Sequence, residues 1–245
     1  MDDQELKRRF YPEANISGFS HVDGTVAWFT QIAAVLRPNH YVLDFGAGRG
    51  EPLVDDPVDW RRQLCDIKDR CQRLDGCDVD TAILENRFLD HAEVIRIGEP
   101  LPYEDNRFDV VIARSVLEHV DTPRFTAAEL LRVTKPGGLI AAVTPNKWGH
   151  IAVGARLVPN RMHARALESI QPGRKAEDVF PTRYLMNTPK ALRRAFAGAD
   201  VYVTPGASEP AYHFGNPVVY RIVKSLNKHL PSAVQPTLYV YVRKR

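Results

Sequence analysis

Three glycines within five residues, Gly46, Gly48 and Gly50, follow directly on the apolar run Tyr41-Val42-Leu43-Asp44-Phe45. Glycine enters left-handed backbone conformations without steric penalty, and a loop lacking β-carbons lets a ligand lie against the main chain. One carboxylate, Asp44, stands just before this turn, and a second, Asp78, closes the run Gly76-Cys77-Asp78. A carboxylate offers only hydrogen-bond acceptors. His119, in Ser115-Val116-Leu117-Glu118-His119-Val120, is a base of the right strength for neutral pH, since an unperturbed imidazole titrates near pH ~6.5. A glycine loop open to a ligand, two carboxylates and a proton acceptor could together bind a cofactor against the main chain and deprotonate an acceptor alcohol. Taken singly, the same residues would also serve as an ordinary glycine turn, a surface acid and a histidine packed beside Val116 and Val120.

The spacing of the glycines discriminates between cofactors. A dinucleotide fingerprint requires GxGxxG, and this chain has Glu51 where the third glycine would stand. A carboxylate beside a pyrophosphate would repel it. S-adenosylmethionine (SAM) has no phosphate and carries a sulfonium cation, so the loop chemistry favours SAM over a nicotinamide dinucleotide.

These residues need a scaffold that brings them to one edge. Val26, Phe29, Ile32, Ala33 and Leu36 recur at helical spacing over residues 24 to 36, ahead of the first strand at 41 to 45. Asp56-Pro57 predicts a helix running to about residue 74, with Leu64, Ile67, Cys71 and Leu74 on one face. Residues 76 to 79 end a second strand. A helix through Ile83 and Leu84 follows, N-capped by Asp80. Residues 94 to 97 and 108 to 113 read as strands three and four, Pro123 to Thr134 as a helix, and 139 to 144 as strand five after the Lys135-Pro136-Gly137-Gly138 break. Strands alternating with helices predict a parallel sheet with right-handed crossovers, whose ligands lie beyond the carboxyl ends of the strands. Residues 145 to 187 lack periodicity and read as an inserted lid over the acceptor. A helix at 188 to 198, a strand at 201 to 204, a helix near 216 to 230 and a last strand at 238 to 242 complete the chain, the last two strands pairing around the intervening helix.

The 245 residues, 44% hydrophobic and 26% charged, fit one large α/β domain. No run approaches the roughly 18 to 20 apolar residues of a membrane span, and the first residues lack a signal-peptide pattern, so the expected compartment is the cytoplasm. Thirty-three basic against 30 acidic residues give a net charge of +3, far from the clustered excess of a nucleic-acid binder. Cys65, Cys71 and Cys77, six apart, match neither a zinc site nor a redox pair and are expected to be reduced; no metal site is expected.

The segment Val42-Leu43-Asp44-Phe45-Gly46-Ala47-Gly48-Arg49-Gly50 resembles motif I of the class I SAM-dependent methyltransferases. Gly76-Cys77-Asp78-Val79-Asp80, Leu101-Pro102-Tyr103-Glu104-Asp105-Asn106-Arg107-Phe108-Asp109-Val110-Val111, Ser115-Val116-Leu117-Glu118-His119-Val120 and Arg132-Val133-Thr134-Lys135-Pro136-Gly137-Gly138 follow in that family's order. The set, over residues 41 to 144, is similar to the type 11 methyltransferase domain, which includes quinone-biosynthesis and sugar O-methyltransferases. The resemblance implies a Rossmann-like, seven-stranded, mostly parallel sheet with the last strand antiparallel. The chain thus reads as one methyltransferase domain, with the SAM-binding core that the resemblance covers over 41 to 144, a helical cap over 1 to 40, the aperiodic lid over 145 to 187 and C-terminal elements over 188 to 245. The resemblance places Asp44, Gly46, Ala47, Gly48, Gly50, Asp78, Val79, Glu99, Arg114 and Ser115 at the cofactor and His119 at the chemistry, the sugar methyltransferases having a histidine at this motif position. The interval from Gly50 to Gly76 is longer than usual in the family, which predicts an extra loop from Glu51 to Asp59.

Asn146 and His150, just past strand five, and Tyr184 are candidate acceptor contacts, and loop or lid packing is the alternative for each. Arg161, His163, Arg165, Arg174, Lys175 and Arg183 would make the lid basic, and Trp148 could stack on a sugar. A nucleic-acid amino-methyltransferase would carry an Asn/Asp-Pro-Pro-Tyr motif where this chain has Ala113-Arg114-Ser115. The expected function is O-methylation of a small or saccharide-like acceptor; C-methylation of a quinone-like ring and non-catalytic SAM binding are the competing readings.

Overall fold

The computed structural model describes residues 1 to 150, 152 to 153 and 181 to 245. The chain divides into two compact units. One comprises Thr25–Pro145, Thr182–Thr204 and Leu238–Arg245, and the other Met1–Gly24, Asn146–Pro181 and Pro205–Thr237. Most of the predicted lid, residue 151 and residues 154 to 180, lies outside the described residues, and with it Arg161, His163, Arg165, Arg174 and Lys175.

The first unit is built on a sheet. Its strands are β1 (Tyr41–Phe45), β2 (Arg73–Asp78), β3 (His91–Val94), β4 (Phe108–Arg114), β5 (Thr134–Pro145), β6 (Asp200–Gly206) and β7 (Thr237–Arg243), in spatial order β3-β2-β1-β4-β5-β7-β6. The pairs β1/β2, β1/β4, β2/β3 and β4/β5 are parallel. β7 runs against β5, because Gly137 N–H donates to Lys244 O at 2.9 Å while Lys244 N–H donates back to Gly138 O at 3.1 Å. The order reverses between β1 and β4, which makes the carboxyl ends of those two strands the switch point where ligands bind in such sheets.

The strands alternate between two cores because successive side chains point to opposite faces. Leu43, Val111, Ile140, Ala142 and Val240 bury one face against Ala127, Leu130 and Val133 of α6 (Pro123–Val133) and Leu192 of α7 (Pro189–Ala195). Val42, Val110, Ile112, Leu139 and Ala141 bury the other against Trp28, Phe29 and Ile32 of α3 (Gly24–Val35) and Leu64 of α5 (Asp59–Cys65). Helix α3, expected in an N-terminal cap, is thus part of the sheet's own core. In the second unit, α1 (Asp3–Phe10), α2 (Ala14–Ser17) and α8 (Pro217–His229) gather around Leu6, Tyr11, Ala14 and Tyr220, all buried.

Four element expectations need correction. The helix expected from residue 57 to 74 stops at Cys65, followed by a 3-10 turn at Lys68–Arg70. Leu74 belongs instead to β2, where Asp75, wholly buried, is held by Arg73 at 2.5 Å and Arg107 at 3.1 Å. Leu74 satisfies a helical period and a strand equally, and pairing with β1 decided it. The third strand is His91–Val94 rather than 94 to 97, set by its register with Asp75–Asp78, and Ile97 is exposed. The predicted Glu51–Asp59 loop is a short helix, α4 (Glu51–Val54), leading into α5, with Asp56 salt-bridged to Arg61 at 2.5 Å. The expected helix through Ile83 is a 3-10 segment, Thr81–Glu85, capped as predicted by the Asp80 carboxylate on Ala82 N–H at 2.9 Å.

Candidate functional site

The glycine loop leaves β1 with all three glycines left-handed, φ being +80° at Gly46, +50° at Gly48 and +77° at Gly50. Gly46 N–H donates to Cys77 O at 2.7 Å, and Gly48 N–H donates to Asp78 Oδ2 at 2.9 Å, so the turn is stitched to the end of β2. The other Asp78 oxygen accepts Asp80 N–H at 3.0 Å. Each carboxylate oxygen has a second lone pair, so Asp78 can still accept two ribose hydroxyls. No atom of the described residues lies within 4 Å of where a Gly48 β-carbon would stand, which leaves an open backbone face.

Asn86, which sequence reasoning missed, fastens this loop from below. Its amide nitrogen donates to Ala47 O at 3.4 Å and Gly48 O at 3.0 Å, while its Oδ1 accepts Phe88 N–H at 3.1 Å. A lone asparagine in a polar turn carries no pattern that could have revealed this.

The electrostatics of the edge are acidic. Asp44 is pushed up to about 7, chiefly by burial, then by the neighbouring Asp78 carboxylate, with Arg114 opposing. The Arg114 guanidinium donates to Thr25 Oγ1 at 3.0 Å and lies 6.0 Å from the Phe29 ring centroid, which fixes it on the α3 side. Two neighbouring carboxylates suit a cationic ligand. They fit the sulfonium and ammonium groups of SAM and would oppose a pyrophosphate.

The turn after β4 closes on the glycine loop. A β-carbon on Gly46 would fall 2.2 Å from Val116 Cγ2, so Val116 occupies the space glycine leaves. Ser115 enters this turn at φ +57° and is exposed, and His119, half-buried, donates its backbone N–H to Val116 O at 2.9 Å. Glu118, also missed, is buried: its carboxylate accepts Thr144 Oγ1–H at 2.9 Å, and Asn187 Nδ2 donates to Thr144 Oγ1 at 2.7 Å and Pro145 O at 2.9 Å. Its carbonyl accepts the N–H groups of Arg183 and Tyr184 at 2.7 and 3.1 Å. The His119 turn is therefore tied to the end of β5 and to the 183–187 segment.

The structure thus gathers Asp44, Gly46, Ala47, Gly48, Gly50, Asp78, Arg114, Ser115 and His119 at the ends of β1, β2 and β4. Val79 sits beside Asp78 at the surface. Glu99 is in an exposed turn past β3, 3.6 Å from Arg96, in a segment that begins with Ile95 N–H bonded to Asp78 O at 2.8 Å. Tyr184, at φ +54°, belongs to the same unit. Asn146 and His150 belong to the other unit. Asn146 is 1% exposed, and its amide donates to Ala233 O and Gln235 O at 3.0 and 2.9 Å while accepting Trp148 N–H at 3.1 Å, so it anchors residues 233 to 235 rather than presenting free polar atoms. Both His150 ring nitrogens are buried without a partner among the described residues. Cys65, Cys71 and Cys77 are free thiols.

Comparison with known proteins gives the same picture. Residues 60–142 match the family model described as a methyltransferase domain. An uncharacterized methyltransferase of Mycolicibacterium vanbaalenii is 34% identical over 87 residues, 36% of this chain and 31% of that protein. A demethylmenaquinone methyltransferase of Renibacterium salmoninarum is 39% identical over 140 residues, 54% of this chain and 52% of the relative. The chain spans about half or less of the length of these curated relatives. A SAM-dependent methyltransferase structure from Aquifex aeolicus superposes with a TM-score of 0.50 at 15% identity, covering 100% of both chains, and shares the fold. By its sheet and its domain match, the chain carries a methyltransferase domain and has the fold of SAM-dependent methyltransferases.

Proposed function

We propose that this chain transfers the methyl group of SAM to a hydroxyl of a small or saccharide-like acceptor, with His119 as general base. The observation that supports the reading is the closure of the β4 turn, which carries His119 three residues on, against the glycine loop through Val116 and Gly46. Bound SAM supplies an electrophilic methyl carbon. The chain's own contribution is to hold the ribose through Asp78, to balance the cofactor's positive charge with Asp44 and Asp78, and to place an imidazole beside the acceptor. An alcohol must lose its proton as it attacks, and positioning alone does not remove that proton. The buried Glu118-Thr144-Asn187 chain keeps the His119 turn in place during this step.

A second reading, C-methylation of a quinone-like ring, is favoured by the similarity to demethylmenaquinone methyltransferases, including one of Beutenbergia cavernae that is 32% identical over 120 residues. On that reading His119 deprotonates a ring hydroxyl and so raises the nucleophilicity of the ring carbons. Incubation with SAM and separate pools of sugars, phenols and quinols, followed by mass spectrometry for products heavier by one methylene and by carbon NMR of the new methyl, separates the two. His119→Ala is expected to lower turnover by roughly a hundredfold while leaving SAM affinity nearly unchanged. Normal turnover would remove His119 from the chemistry. SAM binding without product from any pool would make the chain a non-catalytic binder.

A further inference from the structure

Helix α8 (Pro217–His229) carries more apolar surface than the described residues of its own unit cover. Its N-terminus is capped by Asn216, whose Oδ1 accepts Val218 N–H at 2.8 Å and Val219 N–H at 3.3 Å. Tyr220, on the inward face, is fully buried and stacks on Phe10 with ring centroids 4.9 Å apart. Val218, Ile222 and Leu226 recur at intervals of four on an outward face and are 65%, 54% and 38% exposed. Phe214, just before the cap, is 57% exposed. A continuous aliphatic stripe in water is unfavourable unless something covers it.

The charges beside the stripe say what would. Arg221 and Lys228 are exposed and lie along one border of it, at positions three and ten residues after Val218. The chain has no acidic residue from Pro210 to Arg245, so no carboxylate of that stretch offsets them. A helix with an aliphatic stripe, a basic border and no acidic residue has the pattern of segments that lie in the plane of an anionic lipid surface. It is far too short to span a bilayer, and no described helix is long and apolar enough to do so.

We propose that α8 docks on an anionic membrane surface, with Phe214, Val218, Ile222 and Leu226 entering the acyl boundary and Arg221 and Lys228 meeting the headgroups. Charged headgroups attract each such cation within a Debye length, so the docking depends on salt. The proposal is independent of the acceptor's identity.

The test is co-sedimentation of the full chain with vesicles of phosphatidylcholine and phosphatidylglycerol at about 7:3, beside vesicles of phosphatidylcholine alone, with circular dichroism melts as a folding control. The expected result is partition onto the anionic vesicles that falls as salt is raised, and that falls tenfold or more in both Ile222→Ser/Leu226→Ser and Arg221→Gln/Lys228→Gln, with each variant still melting cooperatively and at most slightly earlier, since all four side chains are exposed and Arg221 only faces the Phe10 ring at 5.7 Å. Three results would overturn it: no partition onto anionic vesicles, equal partition onto neutral ones, or partition unaffected in both variants. A dimer in light scattering that Ile222→Ser/Leu226→Ser dissolves would also overturn it, by showing that a second copy covers the stripe.

Discussion

At the scale of single residues, the most informative group is Asp44. A carboxyl raised to about 7 in the folded chain holds a proton that the unfolded chain has released well below that pH. The folded state therefore binds more protons than the unfolded one between pH ~4 and ~7, and this group's contribution to stability declines as pH rises through that window. Asp44→Asn removes the decline. Urea denaturation at pH 5 and pH 8 is expected to show the variant gaining roughly 1–3 kcal/mol on the parent over that interval, since a tenfold difference in proton affinity is worth about 1.4 kcal/mol. Equal pH profiles would place Asp44 in a more polar setting. A cation favours the ionised carboxylate, so SAM binding should release protons near pH ~7 from the parent and not from Asp44→Asn, as calorimetry in two buffers of different ionisation enthalpy would measure.

Among elements, the contact that matters is between the turns after β1 and β4. Gly46 and Gly48 are both left-handed, yet a β-carbon would meet Val116 at 2.2 Å on the first and nothing within 4 Å on the second. Gly48→Ala should therefore cost only backbone strain, roughly 1–2 kcal/mol. Gly46→Ala adds overpacking and should cost about 1–3 kcal/mol more, with a matching loss of SAM affinity. The difference between the two, read by urea denaturation, measures how firmly the His119 turn rests on the glycine loop. Equal costs would mean that Val116 yields freely, and Gly46→Ala/Val116→Ala should recover most of the loss if it does not.

On the scale of the whole molecule, the fold has two units and the candidate cofactor residues belong to one of them. SAM at a hundredfold its Kd stabilises the state that binds it by about 2.7 kcal/mol. For a protein of this size that corresponds to a rise in Tm of roughly 5–10 °C. Calorimetry should show this rise in the transition that contains Thr25–Pro145. Asp78→Ala loses charge-assisted hydrogen bonds to the ribose, roughly 1–3 kcal/mol, and should need about 10 to 100 times more SAM for the same rise. An undiminished shift would assign the ribose to another group, and Asp80 stands nearest in sequence.

The sequence by itself determined the class of fold and three local patterns of the candidate site. The β1 run ending in three glycines, the acid at the end of β2 and the turn after β4 are local patterns, since a buried strand is apolar and glycine takes a left-handed turn without steric penalty. Strand four, α6 and α8 are legible on local grounds too: β4 holds the apolar run 110 to 113, and each helix opens on a proline. The tertiary structure decided what local pattern leaves degenerate. Leu74 fits a helix and a strand, and only its partner Val42 in β1 resolves it. The third strand was misplaced by three residues because its pairing with β2, and not its own hydrophobicity, sets the register. Asn86 and Glu118 gave no signal at all, because their roles rest on partners 26 to 39 residues away in the chain. Asn146, which looked like an acceptor contact from its place past strand five, is consumed by the carbonyls of residues 233 and 235. A polar side chain's partner is fixed by where the backbone returns, and that return is a property of the folded chain.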